Sequence, residues 1–119
     1  MYEIFTAGRF EVEQGNEDAF VEAWSAFAAW ASENAGAGTL RLFRDVRNPG
    51  RFVSMGEWND AEAVRAWKSS GEFRERISRV VSEATEFEPT ELVTAVKVAG
   101  GTAEALSPPA GLKAIHAPP

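Results

Sequence analysis

Cysteine is missing from this chain, and histidine and tyrosine occur once each. Without thiols there are no disulfides and no thiolate chemistry, which fits a cytoplasmic home. The single histidine, His116, falls in a proline-rich C-terminal stretch, where a ligand role needs that stretch to fold back. No segment approaches the ~18 uninterrupted apolar residues of a membrane span. The start, Met1-Tyr2-Glu3-Ile4-Phe5, lacks the basic and apolar regions of a secretion signal. Basic residues are outnumbered by acidic ones, giving a net charge of -6, and they are scattered along the chain. Phosphate binding needs a basic face, so a nucleic-acid partner is not expected. No carboxylate pair, catalytic triad, phosphate loop or metal-ligand spacing stands out, and no metal site is expected.

What the chain does have is the composition and length of one soluble domain. Phe10 and Val12 alternate with Arg9, Glu11 and Glu13, the pattern of a half-buried strand. Gln14-Gly15-Asn16 makes a turn, Asn16 is a candidate N-cap, and Glu17 and Asp18 suit the first turn of a helix. From there to about Asn34, Phe20, Ala23, Trp24, Phe27, Trp30 and Ala31 fall within an arc of about 120°, a helical stripe. Gly36 and Gly38 mark its exit.

Residues 40–46 and 51–58 read as two strands of a hairpin joined by Asn48-Pro49-Gly50, with proline presetting one φ and glycine taking a positive one. Gly56 inside the second strand suggests a bulge or a close approach. Asp60 caps a helix to about Lys68. Ser69 and Glu72 then suggest a capping box that starts another helix, with Phe73, Ile77, Val80, Val81 and Ala84 on its buried face. Residues 91–98 form a last strand, with Phe87 beginning it upstream and Pro89 near its entrance or on an edge. From Ala99 the periodicity is lost, so residues 1–98 are read as the domain and 99–119 as a Pro/Gly-rich tail. The tail is either a loosely docked terminus or an arm across a partner subunit, anchored by Leu106, Leu112 and Ile115.

The order strand, helix, strand, strand, split helix, strand is an α+β, ferredoxin-like β-α-β-β-α-β arrangement with a four-stranded antiparallel sheet and helices on one face. Apolar residues occupy both strand faces: Leu40 and Leu42 alternate with Phe43, and Val93 with Leu92. A second apolar face needs cover, and a two-fold homodimer packed sheet on sheet supplies it.

The element order, the Gly15 turn, the hairpin and especially the Phe52–Trp67 block, with Glu57-Trp58 followed by Asp60-Ala61-Glu62-Ala63, resemble the antibiotic biosynthesis monooxygenase domain. The resemblance covers roughly residues 2–98. It implies a dimeric α+β barrel with a pocket in each subunit between helices and sheet. It also implies oxidation of polycyclic phenols, anthrones or quinols with O2 and no metal or flavin, or, in one branch, haem degradation. Trp67 matches the haem branch's pocket tryptophan. Ile77 stands where that branch has its iron-binding histidine, and Gly8 where it has an asparagine, so haem degradation is not expected. In other relatives the Trp67 position is often histidine.

Candidate lining is therefore Trp24, Phe27 and Trp30 from the first helix with Trp67 and Phe73 from the split one. Polar candidates are the strand residues Arg9, Arg41, Arg44, Ser54 and Glu57. Cofactor-free oxygenation needs an apolar cavity, a proton acceptor and a donor for the developing oxyanion. Three functions stay open: a cofactor-independent monooxygenase of a small aromatic molecule, a non-catalytic binder of such a molecule, and a dimeric interaction module with a collapsed pocket. An open aromatic cavity fits the first two; solid packing of Trp24, Trp30 and Trp67 fits the third.

Overall fold

The computed structural model describes residues 3–34 and 36–106. The elements are β1 (Ile4–Glu11), α1 (Glu17–Asn34), β2 (Ala37–Arg44), β3 (Arg51–Trp58), α2 (Ala61–Lys68), α3 (Gly71–Val81), β4 (Glu86–Val93), β5 (Val96–Ala99) and β6 (Thr102–Ala105). The first four of those strands form one antiparallel sheet in the order β2-β3-β1-β4. This is the expected α+β, ferredoxin-like arrangement.

Alternation along β1 decides which face the helices cover. Ile4, Thr6, Gly8, Phe10 and Val12 are buried, while the residues between them are half-buried or exposed. Phe52, Gly56 and Trp58 of β3 are buried on the same face, and α1 contributes Phe20, Trp24, Phe27, Ala28 and Ala31 to the common core. The first turn of α1 is tied down from outside itself. The Asn16 carboxamide donates to the Glu83 carbonyl at 2.8 Å and to its carboxylate at 3.0 Å. The Gly15 N–H donates to the Glu17 carboxylate at 2.7 Å.

The split helix is a matter of caps. Asp60 accepts the Ala63 N–H at 2.7 Å and opens α2, whose buried side is Ala61, Val64 and Trp67. The second cap is Ser70, which accepts the Phe73 N–H at 3.1 Å; Ser69, expected in that role, is the C-cap of α2 and donates its hydroxyl back to the Arg65 carbonyl. Only a β/extended residue can serve as N-cap, and Ser69 still has helical backbone angles. The break aims Trp67 and Phe73 at each other.

The β2–β3 turn corrects another expectation. Gly50 does not have a positive φ. The Arg51 N–H donates to the Asn48 carbonyl at 2.9 Å, closing the turn. Glycine is required for space: a Cβ there would sit 2.5 Å from the Val12 carbonyl oxygen, and the Val12 N–H donates to the Gly50 carbonyl at 2.7 Å. The obstacle is backbone and cannot rotate away. Gly50→Ala is therefore expected to cost about 1–3 kcal/mol, the usual range for overpacking. Urea unfolding would show it as a lower midpoint at unchanged slope, and an unchanged midpoint would refute the contact.

The last strand also differs. β4 begins at Glu86, beside the Phe87 expected to begin it, but the 91–98 segment is divided between β4 and β5. On an edge strand with one open face, Glu86 and Glu88 reach water while Phe87 and Val93 pack on the core, so the polar sequence is no bar. Pro89 lies within this edge strand, where a missing N–H costs little. β5 and β6 form a hairpin across Gly100-Gly101, both with positive φ, in a region where no periodicity was expected. It is anchored at Glu3, whose carboxylate accepts from Lys97 and from Thr94, each at 2.9 Å. Those two hydrogen bonds, Lys97's first, hold the Glu3 carboxyl below its ordinary range. Leu112, Ile115 and His116 lie outside the described residues, as does most of the expected tail.

Candidate active site

Along the helix-facing side of the two central strands, large residues stand at the ends and small ones in the middle. β1 runs Ile4, Thr6, Gly8, Phe10, and β3 runs Phe52, Ser54, Gly56, Trp58. The antiparallel register sets Thr6 opposite Gly56 and Gly8 opposite Ser54. Four small side chains thus form one contiguous patch, and the helices bridging the large ends cannot fill the space above it. The result is a half-open cavity of about 170 Å³ between sheet and helices.

Its floor is that patch of Thr6, Gly8, Ser54 and Gly56. Trp24 and Phe27 come from α1, Trp67 and Lys68 from α2, Phe73 and Ile77 from α3, and Leu40, Phe87 and Pro89 from the flanking strands. Gly56 is the close approach anticipated from the sequence: a Cβ there would meet the Leu40 side chain at 2.7 Å and Thr6 Oγ1 at 3.1 Å. The irregularity in pairing lies across from it, in β2 between Ala37 and Leu40.

The aromatic wall is continuous. Trp67 packs its ring centroid 4.5 Å from both Trp58 and Phe73, and Phe27 lies 5.7 Å from Trp67. Trp58 satisfies its indole by donating to Thr6 Oγ1 at 2.8 Å. Trp67 Nε1 is also buried, yet among the described residues it has no hydrogen-bond partner. A buried N–H left without an acceptor costs about 1–3 kcal/mol, so a partner from outside the chain would be well received. Ser54 Oγ reaches only the Gly8 carbonyl, at 3.5 Å, a contact at the weak limit that leaves the hydroxyl able to turn to a ligand. Lys68 Nζ donates to Glu91 Oε1 at 2.6 Å. Lys68 and its partner Glu91 were not anticipated from the sequence. The signal available was Glu91 sharing strand parity with Phe87 and Val93, a carboxylate on an otherwise apolar side.

Of the anticipated residues, Trp24, Phe27, Ser54, Trp67 and Phe73 meet at the cavity. Trp30 stands apart from it, half-buried next to Phe27 with the Arg76 guanidinium 4.9 Å from its ring centre. Arg9 and Glu57 project from the opposite face of the sheet, where they pair with Glu88 at 3.3 Å and Arg41 at 3.8 Å. Arg44 lies over the Phe52 ring. Gly8 and Ile77, the positions at which the haem branch carries polar residues, both line the cavity. Neither can bind iron. Among the described residues no cluster of histidine, aspartate and glutamate could hold a metal ion, and no helix is long and apolar enough to cross a membrane.

Comparison with known proteins agrees with this architecture. SnoaB, a cofactor-independent oxygenase from Streptomyces nogalater, is 18% identical with a TM-score of 0.69, covering 86% of this chain and 100% of its own. A candidate antibiotic biosynthesis monooxygenase from Bordetella bronchiseptica is 19% identical with a TM-score of 0.69, covering 83% of this chain and 100% of its own. A conserved protein of unknown function from Bacteroides thetaiotaomicron is 17% identical with a TM-score of 0.69, covering 78% and 98%. At these identities the likeness speaks for the fold. No curated protein matches the chain. The family model for antibiotic biosynthesis monooxygenase matches residues 4–79, the span that builds the sheet's β1–β3, α1, α2 and most of α3. The chain belongs to the antibiotic biosynthesis monooxygenase family.

Proposed function

We propose that this chain is a cofactor-independent monooxygenase that takes a quinol-type or polycyclic aromatic molecule into the cavity between helices and sheet. The observation that carries the reading is the aromatic cavity, walled by Trp24, Phe27, Trp67 and Phe73, with the Trp67 Nε1–H buried and without an acceptor among the described residues. Oxygenation of this kind starts from the substrate's anion, which gives an electron to O2. Recombination and loss of water turn a ring CH2 and O2 into a carbonyl and H2O. A fixed donor in a water-poor site favours that anion. An apolar cavity of roughly 150 Å³ holds one benzene ring. The cavity here, at about 170 Å³, takes one ring inside, with further rings toward its open side.

The lining residues include hydroxyls, two indoles and an ammonium, but no carboxylate or imidazole. Such a site stabilises an anion better than it creates one, which points to a substrate that ionises readily. The same feature favours a second reading, a binding protein without turnover. Incubation with anthrone and quinol substrates, following O2 uptake, separates the two. Uptake above the uncatalysed rate supports the enzyme, and tight binding without uptake leaves a binder.

The working unit in this proposal is a homodimer. The open sheet face carries Phe5, Phe43, Val53, Met55 and Leu92, with Phe43 and Leu92 47% and 43% exposed. Two such faces, related by a two-fold axis, would cover each other. Analytical ultracentrifugation at micromolar concentration is expected to give a dimer, and Phe43→Glu a monomer. A monomeric parent protein would refute the assembly.

A further inference from the structure

We infer that Lys68 is a specificity-determining residue, selecting aromatic ligands that carry an ionised oxygen, a carboxylate or phenolate, over their neutral counterparts. The inference rests on the cavity being a ligand site, as proposed above. Lys68 follows Trp67 directly on α2 and is the charged member of the cavity lining. Its ammonium offers three donors. One goes to Glu91 Oε1 at 2.6 Å. Glu91 faces the helices from β4, opposite Thr6 in the register.

Two features set this pair apart. Its side chains are 27% and 14% exposed, against 43% and 26% for Arg51–Glu11, the next most buried ion pair among the described residues. It also stands beside Trp67, whose indole N–H lacks an acceptor among the described residues. Adjacent residues of one short helix thus bring an indole and an ammonium to the wall of one cavity. Among the described residues the ammonium's acceptor is Glu91, and the indole N–H has none. An ammonium acts on a ligand oxygen as a point charge, so it discriminates by ionisation, whereas the indole serves any acceptor. Glu91 holds the ammonium in place and offsets part of its charge.

A purely structural role, clamping α2 to the edge strand, predicts something different. Loss of either partner would then weaken every ligand alike. For specificity, the two variants must act on the anion in opposite directions.

Calorimetric titration at pH 7 with 2-naphthoate and with 2-acetylnaphthalene, its neutral analogue with a carbonyl oxygen, tests this. The parent protein is expected to bind the naphthoate about tenfold more tightly or better, the scale of one favourable charge contact. Lys68→Met should bring the ratio to about one by weakening the naphthoate more than 2-acetylnaphthalene. Lys68→Arg should keep the preference, and Glu91→Gln should raise it by removing the competing carboxylate. A parent protein without preference overturns the inference, and this holds even where a variant fails to fold. So does a Lys68→Met protein that keeps the preference, or a Glu91→Gln protein that loses both ligands equally. If neither probe binds, the cavity reading falls and takes this inference with it. Binding with the stated preference but without O2 uptake on quinols would overturn the oxygenase reading alone.

Discussion

Trp67→Phe is expected to slow O2 consumption on a quinol-type substrate by about 10²–10³-fold, the loss typical of one oxyanion donor, while leaving the fold about as stable. The substitution keeps an aromatic ring between Trp58 and Phe73, both at 4.5 Å in the parent, and removes the indole N–H. In the free protein that N–H is buried without a partner among the described residues. Deleting it relieves about 1–3 kcal/mol of desolvation. The smaller ring gives up apolar contact of similar size, since burial is worth about 25 cal/mol per Å². The two effects nearly cancel in stability, but only the loss is felt in the transition state. Trp67→Ala would be less informative, because truncating a buried aromatic costs about 3–5 kcal/mol by itself. Oxygen-electrode rates and urea midpoints should therefore be taken on the same preparation. Activity and stability falling together would make Trp67 ordinary core. An unchanged rate would remove it from the chemistry.

The contrast between Trp58 and Trp67 shows how far the sequence could be read. Both were legible as aromatics flanking a strand-to-helix junction, because Asp60 marks the helix start and the alternation of β3 marks the strand. That Trp58's indole is satisfied by Thr6 depends on cross-strand register, and that Trp67's finds no partner among the described residues depends on how α2 packs; one-dimensional periodicity is blind to both. The cavity itself follows from the same register. Thr6, Gly8, Ser54 and Gly56 look unremarkable one strand at a time, and become a floor only when β1 and β3 are laid antiparallel. Strand parity likewise separates Ser54, at the cavity, from Arg9 and Glu57 on the far face. Chain ends of elements were least legible. Ser69 and Ser70 are chemically identical candidates, and what picks Ser70 is backbone conformation, extended there and helical at Ser69. For the last strand the start near Phe87 was legible, while the break after Val93 that separates β4 from β5 was not.

The largest stability effect is expected from Phe20→Ala, at about 3–5 kcal/mol. Phe20 is fully buried and joins α1 to the sheet through two ring contacts, 4.9 Å to Phe10 and 4.9 Å to Phe52. Phe10 in turn stacks on Phe87 at 4.7 Å, so one side chain connects β3, β1 and, through Phe10, β4 to the helix. Truncation removes the transfer free energy of the ring and leaves a void that neighbours on a hydrogen-bonded sheet cannot collapse to fill. Each lost aromatic pairing adds about 0.5–1.5 kcal/mol within that total. For a domain of this size, 1 kcal/mol corresponds to roughly 4–8 °C in Tm. The variant should therefore melt some tens of degrees lower or fail to fold at 37 °C. Val46→Ala, at a side chain 95% exposed, should stay within about 0.5 kcal/mol and serves as the reference. These phenylalanines lie at the filled end of the sandwich, away from the small-residue floor, apart from the portions of Phe10 and Phe87 that reach the cavity. A conservative Phe20→Leu should thus lower Tm while sparing ligand binding. Loss of binding in a folded Phe20→Leu protein would mean that the filled end and the cavity are not mechanically separate.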